Sequence, residues 1–253
     1  MNFTVLMANH LVTRKGTAVA ILYTREGFAI ATDSFAISSA LATIQSQKIF
    51  RITDRVACVL LGTSDFYETE TGEGCSFDDF ILAAADNLRS PSFKSAVRQV
   101  SLTCYRELQQ AKRRMKTKLK GKKILTELIF AGFENGKAMR ATSYFRRRKE
   151  RFLLPTVGWT ILQEPKQYLR GVVNLKTPFL DRMLDSDIRK LRLLLAQNDP
   201  SNLLSTLSLD EALRFAQKYV EITIASGTPA VGGKIQLAKI PRDGKFSFVP
   251  PPL

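Results

Sequence analysis

Short β-type segments and helix-type segments come in blocks along this chain, and the block order limits the fold more than any other feature. TAVAILY (17–23) and GFAIATDS (27–34) are rich in apolar and β-branched residues, and TREG between them is a turn relieved by Gly27. KIFRI (48–52) and VACVLLG (56–62) form a second such pair across TDR. The polar, glycine-containing stretch 67–76 reads as a loop. FDDFILAAADNLRS then sets Phe77, Phe80, Ile81, Ala84 and Leu88 at helical spacing behind a Ser76 cap. A second helix is expected from Ser92 toward Lys116, with Val97, Val100, Cys104 and Leu108 on its apolar side. Strands resume in ILTELIFAGF (124–133), in KAMRATSYF (137–145) across an ENG turn, and in FLLPTVG (152–158). PFLDRMLDSDIRKLRLLLAQ (178–197) repeats Leu and Ile with helical period. Ser208 followed by Glu211 opens a further helix in a capping-box pattern. GGKIQLAKI and KFSFV, split by PRDG, close the chain as strands. There is no internal repeat or low-complexity linker. Strands, two helices, strands, helices, strands therefore predict one layered α+β domain.

At 253 residues and 45% hydrophobic content the chain can bury a core without disulfides or metals. Its three cysteines, Cys58, Cys75 and Cys104, are scattered and fit a reducing compartment better than a disulfide framework. His10 is the only histidine, which excludes His-rich zinc sites and HExxH metalloproteases and argues against Ser-His-Asp catalysis. No apolar stretch reaches the roughly 18–20 residues of a spanning helix. MNFTVLMANHLVTRKG lacks a basic region before its apolar part and is a poor secretory signal, so a cytoplasmic protein with no membrane partner is expected. The net charge of +15 is local. KRRMKTKLKGKK (112–123) carries eight positive charges, and RRRKER (146–151) carries five positive and one negative; together they supply +12. Only Tyr144 and Phe145 flank the second run, and no nucleic-acid motif accompanies either. Nucleic acid is therefore disfavoured against a solvated loop or an acidic protein partner.

One constellation could carry chemistry. Thr17 follows Gly16 and opens the first strand, Asp33 ends the second, and Lys48 opens the next pair. A threonine with Lys and Asp nearby, and no histidine available, points to attack by a Thr hydroxyl whose base is its own free α-amine. Such an amine has a reference pKa of about 7.7–8.0 and accepts a proton near neutrality. The same three residues also read as ordinary polar groups at strand ends.

GTAVAILYTREGFAIATDS, followed by KIFRITDRVACVLLGTSDF, resembles the start of a proteasome β-type subunit, a family of N-terminal nucleophile hydrolases. ILTELIFAGFENGKAMRATSYF, LSLDEALRFAQKYVEIT and VGGKIQLAKI are similar to that family's central hairpin, late helix and final strand, so the match runs over 17–240. The resemblance implies a four-layer αββα sandwich of two antiparallel sheets flanked by helices. It implies endopeptidase action on a peptide or protein substrate, without cofactor or metal. Thr17 would be the nucleophile, Asp33 and Lys48 its partners, and the Gly62 N–H the oxyanion donor. Ala36, Leu60 and Ser64 would line a small or neutral specificity pocket. Residues 1–16 would be a propeptide, removed by attack of Thr17 on the Gly16 carbonyl, or a retained N-terminal arm; residues 17–253 would be the single domain. A homo-oligomeric ring and an unfoldase partner are also implied. The chain departs from the pattern as well. The interval from Asp33 to Lys48 is one residue short. TPAVGG puts Thr228 and Val231 where an accessory Asp and Ser stand. VGWT places Trp159 in the turn of a second accessory Ser, and Phe35 replaces an Arg. These departures keep open an alternative: a non-catalytic ring subunit or pseudoenzyme that mediates assembly or partner binding.

Overall fold

The hairpins legible in the sequence are the scaffold of the structure, a computed structural model that describes residues 17–37, 43–62, 65–67, 74–114, 124–148, 151–170, 201–226 and 231–250. β1 (Val19–Tyr23) and β2 (Gly27–Thr32) pair in register from Val19–Thr32 to Tyr23–Phe28. β3 (Phe35–Ile37) and β4 (Thr43–Gln45) make a short ribbon. β5 (Ile49–Thr53) and β6 (Val56–Gly62) form the second predicted hairpin. β7 (Asp65–Tyr67) and β8 (Gly74–Ser76) pair where a loop was expected; three-residue strands are too short to show a period in sequence. α1 (Phe77–Asp86) starts on Ser76, whose side chain accepts from the Asp78 N–H, and α2 (Phe93–Arg114) follows. β9 (Ile124–Glu134) and β10 (Lys137–Arg148) meet at a two-residue turn with Asn135 at φ 50° and Gly136 at φ 74°. Both positive angles match the right-handed twist of a hairpin, which is why Asn-Gly sits there.

β11 (Arg151–Phe152) and β12 (Thr156–Leu162) lie one after the other along β10. The expected strand over 152–158 is therefore split: Pro155 has no N–H for a ladder, and the chain re-enters the sheet one residue later. β13 (Lys166–Arg170) was not foreseen; its KQYLR sequence is polar because it is an edge strand. α3 (Ser201–Thr206) precedes α4 (Leu209–Ala225). In α4 the predicted capping box is complete, with the Ser208 side chain accepting from the Glu211 N–H and Glu211 accepting from the Ser208 N–H. β14 (Gln236–Pro241) and β15 (Ser247–Val249) close the fold. The helix expected over 178–197, residues 1–16 and the basic residues 115–123 lie outside the described residues.

The fold is the expected α+β sandwich. One antiparallel sheet has the order β13-β1-β2-β14-β15, and the other runs β11-β10-β9-β6-β5 with β12 also on β10. Alternation along β1 shows how they stack. Val19, Ile21 and Tyr23 join Ile49, Val59 and Ile129 of the other sheet in the middle core. Ala18, Ala20 and Leu22 point the other way, onto Leu213, Ala216 and Val220 of α4. Phe50, Cys58 and Phe130 on the far face of the second sheet pack under Ile81, Val97 and Cys104 of α1 and α2. Three cores separate four layers, helix, sheet, sheet, helix. Both central strands are buried on both faces, which is why their sequences read as unbroken apolar runs.

Candidate active site

Three strand ends meet at one end of the sandwich. Thr17 immediately precedes β1, Asp33 immediately follows β2, and Lys48 immediately precedes β5 of the facing sheet. Pairing of β1 with β2 fixes the first two: the Asp33 N–H donates to the Ala18 carbonyl at 3.2 Å, and the Ala18 N–H donates to Asp33 Oδ1 at 2.9 Å. Lys48 Nζ reaches across from the second sheet. It donates to Asp33 Oδ1 at 2.9 Å and to Thr17 Oγ1 at 3.3 Å. Asp33 is 0% and Lys48 4% exposed, while Thr17 is half-buried at the mouth.

Residues the sequence reading did not single out hold this triad. The Gly232 N–H donates to Asp33 Oδ2 at 3.2 Å, and the Gly232 carbonyl accepts from the Ser34 and Phe35 N–H groups. A Cβ on Gly232 would sit 2.4 Å from the Phe35 ring, and one on Gly233, at φ 78°, 2.6 Å from Ser34 Oγ. The double glycine thus lets the chain lie flat against 33–35. Gln236 is the other staple. Its Oε1 accepts from the Lys48 N–H at 2.8 Å and the Ile49 N–H at 3.2 Å, and its Nε2 donates to the Ser46 carbonyl at 2.7 Å. Ser46 Oγ in turn donates to Asp78 Oδ2 at the start of α1. The only signal for these roles was the VGGKIQ string itself. Contacts nearly two hundred residues apart leave no local pattern.

Burial dominates the electrostatics. Loss of water pushes the Asp33 carboxyl up and the Lys48 ammonium down, and their mutual attraction and hydrogen bond oppose both shifts. The Gly232 and Ala18 N–H groups also favour the carboxylate. A lysine eased below its ordinary range, within hydrogen-bond reach of a threonine hydroxyl, can hold or yield a proton near that oxygen.

The other predicted residues fall as follows. Gly62 ends β6 at φ 93° and is exposed. The Leu60 N–H donates to the Lys48 carbonyl, so Gly62 lies two residues beyond Lys48 at the same sheet end. The Leu60 side chain is buried in the core beneath α1 and α2. Ala36 pairs with Ile44 through the backbone of β3 and β4. Gly16, Ser64 and Thr228 lie outside the described residues. Val231 is buried in the core against α4. Trp159 is not in a turn. It sits in the middle of β12 opposite Ala141, with its ring edge-on to Phe93 of α2 at 6.3 Å; β-branched neighbours and packing on α2 draw VGWT into a strand despite its glycine. Among the described residues no group of three or more His, Cys, Asp or Glu side chains gathers to hold a metal ion. Nor is any helix there long and apolar enough to cross a membrane.

No family model and no curated protein matches the chain. Solved structures do match in fold. One is Anbu (ancestral beta-subunit) from Yersinia bercovieri, 15% identical, TM-score 0.50, covering 91% of this chain and 86% of that one. Another is the helical assembly of the Anbu complex from Pseudomonas aeruginosa, 18% identical, TM-score 0.53, covering 92% and 86%. These likenesses correct the family resemblance read from the sequence. The relation is to the Anbu chains and is one of fold, not membership of the proteasome β-type subunits.

Proposed function

We propose that the chain is an amide hydrolase of the N-terminal nucleophile type, acting on peptide or protein substrates through Thr17. The observation that supports this most is Lys48 Nζ lying between Thr17 Oγ1 and Asp33 Oδ1, at 3.3 and 2.9 Å. In this reading the residues before Thr17 are removed. Thr17 Oγ attacks the Gly16 carbonyl, the amide bond to Thr17 breaks to give an ester and the free α-amine, and water then hydrolyses the ester, releasing residues 1–16 as the carboxylic acid and restoring the hydroxyl. That amine then takes the hydroxyl proton as Oγ attacks a substrate carbonyl, and gives it to the leaving amine as the acyl ester forms. Water, deprotonated by the same amine, hydrolyses the ester. Asp33 holds Lys48, and Lys48 lowers the pKa of amine and hydroxyl. The Gly62 N–H is the oxyanion donor, and Ala36 and Ser64 line the pocket that receives the substrate side chain; Leu60, expected there from the sequence, is buried beneath α1 and α2 and takes no part in it. Residues 17–253 act as one domain. The protein works as a homo-oligomer in the cytoplasm, an assembly suggested by the helical assembly named for the Pseudomonas aeruginosa Anbu complex.

The intact mass of the protein purified from its own host tests this reading. A chain beginning at Thr17 is expected, with Thr17→Ala retaining residues 1–16 and losing covalent labelling by threonine-directed electrophiles. A wild-type mass that includes residues 1–16, with no labelling, would overturn it. The second reading, a non-catalytic assembly subunit, is favoured by one observation: Val231, beside Gly232, turns methyl groups into the α4 core and adds no hydroxyl to the site.

A further inference from the structure

The described parts of the two basic runs, 112–114 and 146–151 without 149 and 150, lie on elements that the fold packs together. Gln109 Nε2 in the last turns of α2 donates to the Phe152 carbonyl of β11 at 3.2 Å. This packs the end of α2, which carries exposed Arg113 and Arg114, against the β10–β11 hairpin, which carries exposed Arg146, Arg148 and Arg151, with Arg146 over the Tyr144 ring. The cationic end is continuous with an apolar edge. Leu153 is hydrogen-bonded through its N–H to the Arg146 carbonyl, and from there Leu154, Pro155 and β12 continue along β10. Leu154 is 64% exposed, Ile161 55% and Trp159 37%. Edge strands are ordinarily protected by a charge, a proline or a bulge. TVGWTIL has no charge or proline, and among the described residues no strand pairs with its outer side. Gly158, in its middle, has nothing within 4 Å of where a Cβ would stand; a strand glycine with open space around it suits the close approach of another backbone.

We propose that this edge is a docking site for an extended polypeptide segment of a partner protein, apolar in one half and acidic in the other. Its backbone adds to β12 as a further strand. Its apolar side chains lie on Trp159 and Ile161, and its carboxylates reach Arg146, Arg148, Arg151, Arg113 and Arg114. This strand, whose outer side is unpaired among the described residues, decides the class of partner. A nucleic acid or an anionic membrane would use the arginines, but only a polypeptide uses the free N–H and C=O groups of β12. From Leu154 to Ile161 the edge offers about 23 Å at roughly 3.3 Å per residue, enough for seven or eight residues. The site is independent of the Thr17 chemistry.

Trp159 is the only tryptophan, so its fluorescence reports this edge alone. The full chain is titrated with the acetylated, amidated peptide VTVTVEEEE, its reversal EEEEVTVTV, a lysine counterpart of each, and copies N-methylated at alternate residues. Oligo-uridine and phosphatidylglycerol vesicles are titrated in parallel. Binding of either acidic peptide with a blue shift of Trp159 supports the proposal. At least tenfold weaker binding to R146E/R148E/R151E, with a melting temperature no lower than that of the wild type, and loss of binding on N-methylation are also expected. The proposal is overturned if neither acidic peptide binds, if N-methylated or lysine copies bind equally well, or if only the RNA or the vesicles shift Trp159. It is equally overturned if Trp159 is already shielded from quencher and becomes accessible on dilution, which would assign the edge to a second copy of this chain.

Discussion

Asp33 and Lys48 form a charged pair out of contact with water, and what each does to stability depends on the other. A lysine whose pKa falls on folding favours the fold above its unfolded value of 10.5, and that contribution is lost as pH falls through the lowered value. An aspartate whose pKa rises favours the fold below 3.8, and that contribution is lost as pH rises through the raised value. At neutral pH both charges are therefore held at a cost that their mutual bond offsets, helped at Asp33 by the Ala18 and Gly232 N–H groups. Lys48→Met leaves the Asp33 carboxylate buried without its counter-charge, and is expected to destabilise by about 3–5 kcal/mol. Because that carboxyl is relieved by a proton, the deficit shrinks as pH is lowered from 8 to 5. Asp33→Asn leaves Lys48 stranded, and its deficit shrinks in the opposite direction, as pH is raised. The double variant removes both charges and should lose less than either single one. Urea denaturation midpoints of the four proteins across this pH range check the pattern; singles that add to give the double would mean the pair is not coupled.

The elements that position the pair show which parts of the sequence could be read. The β1–β2 and β5–β6 hairpins, the Ser76 cap and the Ser208–Glu211 box were legible because each is local: a turn residue, a two-residue period, a spacing of three. β13 was missed because a polar edge strand has no period to show. The strand at 152–158 was misplaced because Pro155 breaks pairing only once a partner is known. At the site, Thr17, Asp33 and Lys48 could be named from their hairpin ends. Gln236 and Gly232 could not, since a β14 side chain meets the start of β5 only in the folded sandwich. Gln236→Ala leaves the Lys48 and Ile49 N–H groups without their acceptor, and is expected to cost about 1–3 kcal/mol. Gln236→Glu keeps the acceptor but loses the bond to the Ser46 carbonyl, so its loss should be smaller. Ser208→Ala, far from the site, should cost about 1 kcal/mol through the α4 cap alone. Denaturant melts rank the three, and Thr17 labelling rates separate them: Gln236→Ala should slow labelling while Ser208→Ala leaves it unchanged.

At the scale of the whole molecule, the charge is distributed against the fold's own interest. Most of the +15 resides in two runs that the sequence separates, and the α2–β11 contact packs together the elements that carry their described residues. Like charges gathered at one end repel each other, and the unfolded chain relieves that repulsion by holding them further apart. Replacing Arg113, Arg114, Arg146, Arg148 and Arg151 by glutamine should therefore raise the melting temperature at low ionic strength, by on the order of 2–4 °C for a chain of this size. The gain should fade as salt is added, because at about 0.15 M the screening length of about 8 Å is comparable with the spacing of neighbouring side chains. The same substitutions leave β12, the three cores and the Thr17–Lys48–Asp33 bonds untouched, so labelling of Thr17 should not change. Thermal melts of wild type and variant over a salt series decide it. A melting temperature that falls on neutralisation, at any salt, would mean that these arginines are bonded within the fold rather than held out for a partner.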